Sequence, residues 1–152
     1  MLHTATVEPV TLSVLKRVLQ ISELKNFSLV GGTALSLKYG HRKSIDLDFF
    51  SHEKFDIKII QSALIKEFGN DFEFEQQNIT WAIFCKIKGV KVDIVYYPHA
   101  LISPIEVIEN IKMYSNKDIA AMKINAILGR GAKKDFWDVA QLLNEFTKKG
   151  IL

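Results

Sequence analysis

Residues 29–50 read LVGGTALSLKYGHRKSIDLDFF, and the rest of the chain is organised around this stretch. Phe27-Ser28-Leu29-Val30 is a short apolar run that stops at Gly31-Gly32, the pattern of a buried strand ended by a glycine turn. Thr33 is placed to cap a short helix over Ala34 to Lys38, which Gly40 closes. Ile45 to Phe50 reads as a second strand. Side chains alternate along a strand, so Asp46 and Asp48 share one face while Ile45, Leu47 and Phe49 share the other, core-facing side. Two neighbouring carboxylates repel unless a cation or a basic partner neutralises them. A hard divalent cation, Mg²⁺ with Mn²⁺ as its alternative, suits such oxygens and leaves positions open for phosphates. The glycine pair lets a phosphate approach backbone amides at the helix N-terminus. Alone, Asp-x-Asp is an ordinary solvated strand edge and Gly-Gly an ordinary turn. As one unit, with 13 residues between Gly32 and Asp46, they describe a triphosphate held by amides at one end and by metal at the other.

Around this unit the periodicities alternate. Thr11 to Lys25 carries Leu12, Leu15, Val18 and Leu19 at helical spacing, and Asp56 to Phe68 forms a second amphipathic helix closed by Gly69-Asn70. Phe72 to Glu75 reads as an edge strand. Ile79 to Ile87 and Val90 to Tyr97 are β-branched and aromatic runs around Lys88-Gly89, a hairpin pattern. After Pro98 and Pro104 the chain reads as helical, over Ile105 to Ile111, from Asn116 or Asp118 to Leu128, and over Lys134 to Thr147, with Gly129-Arg130-Gly131 parting the last two. The fold class expected is α+β: a mixed sheet flanked by helices, with a helical C-terminal third. The expected organisation is a single domain over 1–152, with its core over about 11–100 and its helical part over about 104–152.

The 152 residues are 48% hydrophobic and 24% charged, enough apolar material for a core and incompatible with general disorder. Cys85 has no second cysteine to pair with, no apolar run approaches the 20 residues of a membrane span, and Glu8-Pro9 interrupts any signal-peptide core. The expected location is therefore the cytoplasm, with no membrane partner. The net charge of +3 is unevenly spread: residues 1–111 hold 12 Lys/Arg against 13 Asp/Glu, residues 112–152 hold 8 against 4. That basic tail is either a solvated helical surface or a wall facing a polyanion such as a nucleotide or RNA.

Two blocks carry a resemblance. Gly31 to Phe50, GGTALSLKYGHRKSIDLDFF, resembles the signature of the AbiEii/AbiGii toxin family of nucleotidyltransferases, within the DNA polymerase β-like superfamily. Asp118-Ile119-Ala120-Ala121-Met122-Lys123 and Lys134-Asp135-Phe136-Trp137-Asp138 resemble that family's C-terminal lysine and aspartate motifs. The resemblance implies a nucleotidyltransferase core that transfers NMP from ATP, GTP, CTP or UTP with release of pyrophosphate. It further implies a toxin of a toxin–antitoxin or phage abortive-infection pair, with a cognate antitoxin and tRNA, or else a protein, as acceptor. The alternatives are a non-catalytic nucleotide- or partner-binding module and a minimal antitoxin-type nucleotidyltransferase that modifies a partner protein.

The superfamily pattern calls for a third carboxylate. Asp93 is an acid within the apolar run Val90 to Val95, where a lone buried carboxylate is costly unless paired with Lys or Arg or bound to metal. Asp46, Asp48 and Asp93 are thus the candidate metal ligands, the first two for the nucleotide's ion and all three for the ion that activates the acceptor hydroxyl. Lys123 sits among apolar residues, where its stem either snorkels to solvent or, as the resemblance implies, reaches triphosphate oxygens. Arg130, seven residues on, falls on a similar face. Asp138 is implied to orient Lys123, contact the nucleotide or position the acceptor, while Asp135 reads as a charge facing the helix dipole. Gly31, Gly32, Thr33, Arg42, Ser44 and Lys123 form the expected nucleotide-binding set. Arg42 has the choice of a phosphate or an acidic partner, and His41 reads as a hydrogen-bonded loop residue. Trp137 reads as packing unless exposed, where it is suited to stack on a base.

Overall fold

The computed structural model describes residues 1–75 and 78–150. In chain order its elements are α1 (Pro9–Leu19), β1 (Ser28–Val30), α2 (Gly31–Tyr39), β2 (Leu47–Ser51), α3 (Ile57–Phe68), β3 (Phe72–Phe74), β4 (Ala82–Ile87), β5 (Val90–Tyr96), β6 (Glu106–Ile108), β7 (Ile111–Met113), α4 (Asn116–Gly129) and α5 (Lys133–Lys148). The seven strands form one mixed sheet in the order β3-β4-β5-β2-β1-β7-β6, parallel at β2/β5 and β1/β7 and antiparallel elsewhere. The α+β expectation holds.

The alternation of the strands decides which side of the sheet is dry. Leu29, Leu47, Phe49, Val92, Ile94 and Ile83 lie on one face and are wholly buried. α1 covers this face with Val14, Leu15 and Val18, and α3 covers it with Ile60, Leu64 and Phe68. α3 begins cleanly because the Asp56 carboxylate accepts from the Lys58 and Ile59 amides. On the opposite face, register places Val30, Asp48, Asp93 and Phe84 in one row across four strands. α2, α4 and α5 pack together at the β1 side of that row and leave the β4–β5 side open.

Three local expectations are corrected. Ile105 to Ile111 is not helical but supplies the β6–β7 hairpin, whose Glu109 and Asn110 both adopt positive φ, 48° and 66°. That two-residue turn matches the twist of a hairpin, so the Val107–Ile108–Ile111 spacing reflects two paired strands rather than a helical face. α1 stops at Leu19, and Ser22–Leu24 forms a separate 3₁₀ turn. α2 starts at Gly31, two residues before Thr33, so Thr33 is inside the helix and does not cap it.

Candidate active site

The glycine pair has steric reasons to be glycine. Gly31 has φ +73°, and a Cβ there would lie 2.8 Å from Asp48 Oδ2. A Cβ on Gly32 would overlap the Arg42 guanidinium and sit 3.3 Å from Asp138 Oδ2. These two residues bring the first turn of α2, whose amides lack intrahelical partners, against both the sheet acids and the C-terminal helices. Thr33 is buried and tethers the loop: its hydroxyl donates to the Asp46 carbonyl and bonds Ser44 Oγ at 2.7 Å. Thr33 thereby fixes the backbone of Asp46 rather than facing the cavity.

Asp48 and Asp93 are direct partners across the parallel β2–β5 ladder. Burial, and then the charge of Asp93, raises the Asp48 carboxyl to about 6. Burial also raises Asp93, opposed by Lys91, whose Nζ lies 3.6 Å from Asp93 Oδ2 and is largely exposed. Asp93 Oδ1 is buried without a hydrogen-bond partner among the described residues. Asp46 precedes β2, and Ile45 beside it is exposed instead of joining the core face, because the strand begins only at Leu47. Among the described residues no group of three or more His, Cys, Asp or Glu is already gathered as a metal cage. Two adjacent, under-neutralised carboxylates and an orphaned oxygen nevertheless fit Mg²⁺, which takes one or two carboxylates and completes its shell with water and phosphate.

The opposite wall is electrostatically complete. Asp138 is wholly buried; its Oδ1 accepts from His41 Nε2 and Arg42 Nε, both at 2.7 Å, and its Oδ2 accepts from Arg42 Nη2 and Lys123 Nζ, both at 2.8 Å. Burial opposes its ionisation but is outweighed by these bonds, so its carboxyl lies well below the usual range. Asp135, also wholly buried, accepts from Lys123 Nζ at 3.2 Å and from Arg130 Nε and Nη2 at 3.0 and 2.7 Å. It is lowered too, again against burial, by the Arg130 and Lys123 bonds. Asp135 is therefore a buried ion-pair partner as well as a first-turn acid. Asp135 and Asp138 stand at i, i+3 on one face of α5, so both carboxylates reach Lys123. Three cations, Arg42, Lys123 and Arg130, meet two carboxylates here, leaving one positive charge in excess.

These walls enclose a cavity of about 590 Å³ lined by Gly31, Gly32, Arg42, Ser44, Asp46, Asp48, Asp93 and Lys123, and by Arg130, Lys134 and Trp137. Every residue in the expected catalytic, metal and nucleotide-binding sets lines it except Thr33 and Asp138, which hold its walls from behind. Acids on one side, and amides with surplus positive charge on the other, can bind a cation and a polyanion together.

The family profile described as nucleotidyl transferase AbiEii toxin, type IV TA system, matches residues 13–151. The uncharacterized protein aq_aa25 of Aquifex aeolicus is 32% identical over 135 residues, covering 86% of this chain; the chain spans 64% of that relative's length. The crystal structure of JHP933 from Helicobacter pylori superimposes with a TM-score of 0.61 at 22% identity, over 93% of this chain and 69% of that one. ANT(2″)-Ia, solved in complex with adenylyl-2″-tobramycin, gives 0.62 at 13% identity, over 93% and 92%. Both share this fold. With the profile running through nearly the whole chain and both motif blocks forming one cavity, the protein belongs to the AbiEii nucleotidyltransferase toxin family.

Proposed function

We propose that this chain transfers a nucleoside monophosphate from an NTP to an acceptor hydroxyl, releasing pyrophosphate, as the toxin of a toxin–antitoxin pair. The observation that carries it is the meeting, in one cavity, of the Asp48–Asp93 pair with the glycine-led start of α2 and the Lys123 network. The β- and γ-phosphates lie against the first-turn amides of α2, where the helix dipole favours anions. Lys123 and Arg130 offset the charge that builds on the departing pyrophosphate. Asp138 and Asp135 position these cations and touch no substrate. Asp46 and Asp48 would hold the nucleotide's divalent cation, Mg²⁺ or Mn²⁺, which when bound would neutralise the phosphates and polarise the α-phosphorus. Asp93 would join them in holding the ion that acidifies the acceptor hydroxyl, whose proton passes to solvent as its oxygen bonds the α-phosphorus and pyrophosphate leaves. Arg42 and Ser44 complete the phosphate wall.

The acceptor is assigned to tRNA, which suits the basic α4–α5 side, and the type IV toxin–antitoxin description of the family supports a cognate antitoxin. A cytoplasmic location follows from these substrates, and among the described residues no helix is long and apolar enough to cross a membrane. Pyrophosphate release should require the chain, Mg²⁺, one NTP and tRNA together, and should vanish in Asp48→Ala. Release that ignores tRNA and survives that substitution contradicts the proposal. NTP binding with no transfer to tRNA or protein identifies a non-catalytic binding module instead.

A further inference from the structure

One wall of the cavity continues beyond the catalytic groups. Trp137 is half exposed and borders both the main cavity and a second groove of about 400 Å³, lined by His41, Arg42, Trp137, Ala140, Gln141 and Asn144. Arg42 and Trp137 are common to the two, so the second groove opens one side chain away from the residues assigned to the triphosphate. Trp137, Gln141 and Asn144 stand at i, i+4 and i+7 of α5 and so form a single stripe along the helix. Packing does not account for that stripe: α5 buries Asp135, Asp138 and Leu142 on a neighbouring arc, whereas Trp137 and Asn144 are exposed. The Lys133 ammonium lies 5.1 Å from the Trp137 ring centroid, a cation–π contact that steadies the indole. Among the described residues, Gln141 spends its amide hydrogens only on a long 3.3 Å bond to Glu145 Oε1, which a ligand readily replaces.

From this we infer that the second groove is the base-selecting subsite for the incoming NTP: the base stacks on Trp137, and Gln141 and Asn144 read its hydrogen-bonding edge. An indole offers every base a π-face, and side-chain amides carry both a donor and an acceptor, which is the chemistry that distinguishes bases. The inference rests on the triphosphate assignment of the main cavity and adds substrate choice to it. Discrimination arises because a mismatched base leaves a groove amide unpaired.

Calorimetric titration of the whole chain with Mg²⁺ and, separately, tripolyphosphate and each of the four NTPs tests it. One NTP should bind about 10-fold or more tightly than tripolyphosphate and more tightly than the other three. Trp137→Ala should weaken that NTP about 10-fold or more and leave tripolyphosphate unchanged, Trp137→Phe should retain most of the affinity, and Gln141→Leu should reorder the four NTPs. Equal binding of NTP by wild type and Trp137→Ala, or equal losses of NTP and tripolyphosphate, overturns the inference. So does a single-stranded RNA whose binding depends on Trp137 when that of NTP does not. Base-selective binding without transfer leaves the subsite standing and contradicts the transferase reading, whereas binding of neither tripolyphosphate nor NTP overturns both.

Discussion

Asp48 on β2 and Asp138 on α5 are chemically identical groups at the edge of one cavity, and their surroundings push them in opposite directions. Asp138 is saturated by Arg42, His41 and Lys123 and lies well below the ordinary carboxylate range. Asp48 has Asp93 for a neighbour across the ladder and is pushed up to about 6. The helical wall is thus finished on folding, while the sheet wall is left short of positive charge. This division is what a site needs if its positioning groups must be rigid and its acids must wait for a cation that arrives with substrate.

Loss of the unfinished wall should show first in catalysis. Asp48→Ala should lower kcat/KM for NMP transfer on the order of 1000-fold, read as initial rates at saturating tRNA, since a lost metal ligand forfeits several kcal/mol of transition-state stabilisation. Breaking the finished side should instead cost folding. Asp138→Asn strands Arg42 and Lys123 beside a neutral amide, and urea melts should show a loss of about 3–5 kcal/mol.

Without a cation, the Asp48 carboxylate works against the fold. Because Asp48 is raised to about 6, the folded chain keeps a proton between about pH 4 and pH 6 that the unfolded chain has released. Stability falls as pH climbs through that window, and the whole penalty is present above it. Without divalent cations, Asp48→Asn should therefore stabilise the chain by roughly 3 kcal/mol at pH 8 and by about nothing below pH 4, measured by urea denaturation at both values. Asp138 follows the ordinary pattern of a depressed carboxyl: its contribution is present at neutral pH and is lost on acidification. The smallest effect belongs to Lys91, the exposed cation beside Asp93. Lys91→Met should move stability by less than about 0.5 kcal/mol, which would separate a solvent-screened pair from the buried one at Asp138.

The sheet acids were legible from the sequence because their chemistry is local. A strand ended by Gly31-Gly32 and an alternating Asp46-x-Asp48 declare a turn and a charged face within 20 residues, and Asp93 stands out as an acid in an apolar run. Most of the finished wall was not legible. The Asp138–Arg42 pair spans 96 positions, so only the folded chain reveals that Gly32 is glycine to admit a guanidinium or that Thr33 serves the Asp46 backbone. In sequence Asp135 reads as a helix-dipole charge because a first-turn acid explains itself without a partner, and its two cations become visible only when α4 lies beside α5. The β6–β7 hairpin hid for a different reason. Its strands are three residues each, too short for period two to outweigh a helical spacing, and only Asn110 hinted at a turn with positive φ.

The cavity is proposed to move the α-phosphate of an NTP. Incubation of the chain with Mg²⁺, tRNA and one NTP, labelled in parallel at the α- or the γ-phosphate, tests it most directly. The α-label should enter the RNA, the γ-label should appear only as pyrophosphate, and Asp48→Ala should leave both in the nucleotide. Transfer of the γ-label to RNA, or no transfer of the α-label from any of the four NTPs, would contradict it.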